Sequence, residues 1–116
     1  MTGARLAMRA AVVALATIVA LPAAAHGLRV FASVEGDTVV VEASFSSGRA
    51  PAGGEIRVFD ASETMIGTVD VQPGGVTRFA LPDGADSGLM IEVETGGHSD
   101  YWMLTPDDVA RGQEGS

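Results

Sequence analysis

The chain has no cysteine. A disulfide framework and a thiolate metal or redox centre are both excluded, so the fold has to rest on apolar packing. Lysine is missing as well: all seven basic residues are arginines, set against fifteen aspartates and glutamates. A formal net charge of −8 excludes nucleic acid and anionic lipid as partners held by charge, and it favours attraction of cations. Aromatics are scarce, with one tryptophan, one tyrosine and four phenylalanines, and histidine occurs only at His26 and His98. No Gly-x-Ser-x-Gly elbow, phosphate-binding loop or His-Glu-x-x-His motif is present, and nothing in the pattern supports an enzyme.

What the chain does have is a clear leader. Met1–Arg9 carries Arg5 and Arg9, Ala10–Leu21 is apolar apart from Thr17, and Ala23-Ala24-Ala25 supplies small residues where a signal peptidase reads them. The apolar run is shorter than the roughly 18 residues of a spanning helix. Residues 1–25 therefore read as a helical secretory signal that is cleaved, with a periplasmic or otherwise extracytoplasmic destination. His26 would then be the first mature residue. A histidine that is also a free N-terminus can close a chelate ring on a divalent metal through its α-amine and its Nδ1 atom, given nitrogen ligands that suit nickel, cobalt, copper and zinc.

Beyond His26 the apolar residues alternate. Residues 28–34, 38–45, 55–60, 65–71, 76–81, 89–94 and 99–104 read as seven short strands, separated by Gly- and Pro-containing turns. Glu35-Gly36-Asp37 and Gly96-Gly97 have the length and glycine content of hairpin turns, and Gly67 weakens the fourth strand. The pattern predicts an all-β domain over residues 26–105, a seven-stranded antiparallel sandwich of immunoglobulin or prealbumin type. Thr105-Pro106-Asp107-Asp108 suits a single capped helical turn, and residues 106–116 read as a polar, loosely ordered tail.

Several of these segments carry a family likeness. The run His26-x-Leu28-x-Val30-Phe31-Ala32, then Glu35-Gly36-Asp37-x-Val39, Val58-Phe59-Asp60 before a turn, Phe79-x-Leu81-Pro82, and Gly96-Gly97-His98 ahead of Trp102 resemble the small exported accessory component of energy-coupling-factor nickel/cobalt importers. The resemblance implies a carboxypeptidase-regulatory-like β-sandwich that begins with a mature histidine. It also implies an integral-membrane importer subunit as partner, with nickel or cobalt as the metal handled. Relatives tend to have a tidier Asp-Gly turn where this chain has Ser62-Glu63, and some continue into a membrane helix, so a free or docked periplasmic subunit is expected.

The candidate ligands are His26, His98 and Asp100. His98 heads the last strand and Asp100 follows two residues on, facing the same side. If first and last strands run parallel, His26 and His98 share one end of the sandwich; if antiparallel, a strand length of roughly 20 Å separates them. A periplasmic copper(II) carrier with the same N-terminal histidine is the alternative, and a plain interaction module without metal is the third. Trp102 reads as core filler between the sheets, with Tyr101 exposed on the opposite face. Met65, Met90 and Met103 are dispersed among three strands and read as packing residues rather than a soft copper(I) site.

Overall fold

The computed structural model describes residues 27–115. The leader and His26 lie outside the described residues. Seven strands follow: β1 (Leu28–Glu35), β2 (Thr38–Phe45), β3 (Glu55–Asp60), β4 (Met65–Asp70), β5 (Val76–Ala80), β6 (Leu89–Thr95) and β7 (His98–Leu104), and the chain closes with helix α1 (Pro106–Glu114). They form two antiparallel sheets, a three-stranded one ordered β1-β2-β5 and a four-stranded one ordered β4-β3-β6-β7. The expected sandwich is present. Relative to the constant immunoglobulin arrangement, the fourth strand pairs with the third instead of the fifth.

Turn chemistry sets the registers. Glu35 pairs with Thr38 across Gly36-Asp37, where Gly36 takes a φ of 63°. A left-handed first residue followed by an ordinary one gives a hairpin of the II′ kind, and only glycine enters it without strain. Thr95 pairs with His98 across Gly96-Gly97, whose φ values of 54° and 83° give the I′ kind. The third hairpin, β3–β4, is less regular. Its register slips between Val58 and Phe59, so that Gly67 faces Val58 while Met65 faces Phe59. Such a bulge twists β4, an edge strand that is exposed along nearly its whole length.

The core lies between the sheets. Val30, Ala32, Val34, Val39, Val41 and Ala43 of the smaller sheet meet Ile56, Val58, Leu89, Ile91, Val93 and Leu104 of the larger one. Each buried valine, leucine or isoleucine side chain contributes about 1.5–3 kcal/mol relative to exposure, and each alanine less. Most of these residues are valine or alanine, so the core is thin and leaves little room for a large ring.

The C-terminal segment departs from expectation. Residues 106–114 form a nine-residue helix rather than one turn and a loose tail. Thr105 caps it: its Oγ1 accepts from the Asp108 amide (3.1 Å) while Asp108 Oδ2 accepts from the Thr105 amide (3.0 Å). Val109 is buried in the core, and the Gly112 carbonyl accepts from the Gly36 amide at 3.0 Å. A Cβ on Gly112 would collide with the carbonyl and side chain of Val34, so glycine is what lets the helix lie directly on β1. The sequence conceals this helix because one valine and one glycine replace an apolar stripe.

Candidate functional site

Strands β1 and β7 are edge strands of different sheets, yet they run side by side and in the same direction. The Val30 amide donates to Asp100 Oδ2 at 3.2 Å, and one step along, the rings of Phe31 and Trp102 meet edge-to-face with centroids 5.0 Å apart. No ladder joins them: β1 pairs only with β2, and β7 only with β6. The parallel course therefore holds without the parallel pairing that the sequence suggests as its cause. Asp100 stands in for ladder bonding by satisfying an outward-facing amide of β1.

The seam brings one end of the domain together around Phe45. This residue is the register partner of Leu28 at the start of β1, and its ring packs edge-on against His98, with centroids 5.4 Å apart. Gly27, just before β1, is fixed to the neighbouring loop in both directions. Its amide donates to Ser46 Oγ (3.2 Å) and its carbonyl accepts from the Ser46 amide (2.8 Å). A hollow of about 340 Å³, lined by Phe45, Ser47, Arg49 and His98, opens at this end. Arg49 brings a permanent positive charge to that hollow, which opposes a bound cation.

Of the three sequence-derived ligands, His98 and Asp100 share the inward side of β7, and His26 lies outside the described residues. Asp100 is oriented by the Val30 amide and His98 by Phe45. Among the described residues, no group of three or more His, Cys, Asp or Glu side chains could hold a metal ion. His98 and Asp100 can supply at most part of a ligand set, and a further donor has to come from elsewhere in the chain or from a partner.

Trp102 is not core filler. It shares the inward side of β7 with the buried Leu104, but it is 38% exposed, and Phe31 is 44% exposed. The reason is position in the sheet. An inward residue on an edge strand looks onto the open seam, and there the indole meets the ring of Phe31. Tyr101, on the other face, is exposed as expected.

Nor are the methionines dispersed. Phe59 is the register partner of Met65 on one side and of Met90 on the other, and Met90 is the partner of Met103. All three methionines among the described residues thus fall in one row across the outer face of the four-stranded sheet, with Phe59 in their midst. Met65 is 53% and Met103 55% exposed, so neither fills the core. The signal lay in the sequence: Met90 and Met103 stand equally far from the Gly96-Gly97 turn, which makes them cross-strand partners. The next two rows are charged. Arg57 lies among Glu92 (2.9 Å), Glu94 (2.6 Å) and Glu55 (2.9 Å), and these bonds, Glu92 first, hold its guanidinium further above its ordinary pKa.

No protein-family model matches the chain, and no curated protein matches it. The domain is a small two-sheet β protein on its own geometry.

Proposed function

We propose that the protein is a periplasmic accessory subunit of a nickel or cobalt uptake system. It docks on the membrane component and presents divalent metal at the end of the sandwich where β1 begins. The observation that carries this reading is the parallel course of β1 and β7, with Phe45 common to Leu28 and His98. His26 immediately precedes Gly27 in the sequence. Gly27 is itself tied to Ser46 in the loop next to Phe45. A mature N-terminal histidine would therefore start from the His98 end of the domain, where its amine and imidazole add to the imidazole of His98 and the carboxylate of Asp100. Nitrogen and oxygen donors of this kind suit nickel and cobalt. The acidic balance of the chain favours cation approach, and the family resemblance supplies the membrane partner.

The test is metal titration of protein processed by the cell, with its N-terminus verified by mass spectrometry, beside the His26→Ala and His98→Ala variants. Stoichiometric nickel or cobalt binding lost in His26→Ala, together with co-purification of an importer subunit, is the expected result. A strong preference for copper(II) would make the protein a copper carrier instead. Processed protein that ignores all three metals and co-purifies with no transporter subunit would overturn the reading and leave a non-metal interaction module.

A further inference from the structure

The methionine row lies at the other end of β7 from His98, about 17 Å away at the usual rise per strand residue. It has its own chemistry. Counting from the Gly96-Gly97 turn, Thr95 and His98 form the hydrogen-bonded closing pair. Strict alternation then makes Met90 and Met103 a non-hydrogen-bonded pair. Such pairs have the closest side chains in a sheet, with Cα atoms about 4.5 Å apart. Met65 stands beyond Phe59, about two strand spacings or 9.6 Å from Met90 and three from Met103, too far to share an ion with that pair.

We propose that Met90 and Met103 form a thioether site for a soft monovalent cation of the copper(I) class. Packing does not account for the row. Its two outer methionines are more than half exposed, and an exposed strand position gains nothing from a flexible thioether that a branched aliphatic side chain would not give better. The surroundings suit a cation as well. A groove of about 530 Å³ has Met90 and Met103 in its lining, together with the rings of Phe59 and Tyr101 and the carboxylate-bearing Asp60 and Glu63. Aromatic faces attract a cation and limit water around it, and the carboxylates lower the local potential. Thioethers select copper(I), whereas nickel and cobalt favour the nitrogen and oxygen donors at the opposite end, so this site does not depend on the reading given above.

The test uses the processed chain with methionine methyl groups carrying carbon-13, titrated with silver(I) as a redox-inert probe and with copper(I) held reduced by ascorbate. The Met90 and Met103 methyl resonances are expected to shift together and saturate at one ion per chain. Met90→Leu and Met103→Leu, which conserve volume and so keep the fold, should each weaken binding by about tenfold, or about 1.4 kcal/mol. Met65→Leu and His98→Ala should both leave it unchanged. Unmoved methyl resonances would overturn the site. So would undiminished binding in a folded Met90→Leu/Met103→Leu double variant, or binding lost in His98→Ala.

Discussion

The amide of Val30 and the carboxylate of Asp100, seventy residues apart in the chain, meet at 3.2 Å across the seam between two edge strands. An edge strand ordinarily leaves a row of unpaired amides and carbonyls, which invites pairing with other chains. Here one side chain supplies the missing acceptor. Asp100→Ala should leave the Val30 amide without its partner and cost about 1–3 kcal/mol in chemical denaturation, with faster hydrogen exchange at Val30. Asp100→Asn keeps an acceptor oxygen and removes the charge. It should retain most of that stability while weakening any metal affinity at the His98 end, which separates the structural role of the residue from a ligand role.

Gly112 offers a second check. Glycine to alanine in a helix ordinarily gains about 1 kcal/mol. At this position the added methyl would strike the Val34 carbonyl and side chain, and overpacking of this kind costs about 1–3 kcal/mol. Gly112→Ala should therefore destabilise the protein, with the Gly36 amide losing its exchange protection first because Gly112 is its acceptor.

At the β3–β4 turn, Glu63 holds a φ of 65°, a left-handed conformation that costs a residue with a Cβ about 1–2 kcal/mol. The turn keeps its shape because Asp60 Oδ1 accepts from both the Ser62 amide (2.8 Å) and the Thr64 amide (3.0 Å). Glu63→Gly should raise stability by about 0.5–1 kcal/mol, the relief being partly offset by the freer unfolded chain. A rise in thermal midpoint without change in the denaturant slope would verify it.

Asp108 governs the acid response of the helix. Its carboxyl is held below the ordinary aspartate value, first by the Thr105 backbone amide, then by the Thr105 side chain, with Arg111 adding attraction. A lowered folded value means that the stabilisation is complete above the unfolded value of about 3.9. It is lost as pH falls below that through the folded value. Helical circular dichroism followed from pH 6 to pH 2 should drop over this window ahead of the β signal, and Asp108→Asn should flatten the drop.

Much of this architecture was legible in the sequence, and for identifiable reasons. The alternation of Val30, Ala32 and Val34 or of Leu89, Ile91 and Val93 marks strands directly, and the two glycine turns fix the β1–β2 and β6–β7 registers. Alternation tells which side of a strand a residue faces, but not whether that strand ends up in the middle of a sheet or at its rim. That is why Trp102 reads as interior and sits at the seam. The methionine row was hidden for a related reason. Met90 and Met103 can be aligned from their shared turn, whereas Met65 joins them only through the β3–β6 pairing, a long-range contact that no local pattern announces. At the opposite end, His98 and Asp100 were legible as same-side residues, while the roles of Phe45 and Arg49 depend on how the 46–54 loop returns to the start of β1.

The anchoring of β1 bears on the order in which the molecule can be made. The first strand pairs early with β2, but the contacts that cover its free side arrive only with Asp100 and Gly112. A growing polypeptide would hold an incomplete first strand until residues 100–112 have emerged. Contacts so distant in sequence slow the final closure. The helix thus acts as a latch on the sandwich, and loss of the turns around Gly112 would uncover the face of β1 at Val34 and release the Gly36 amide.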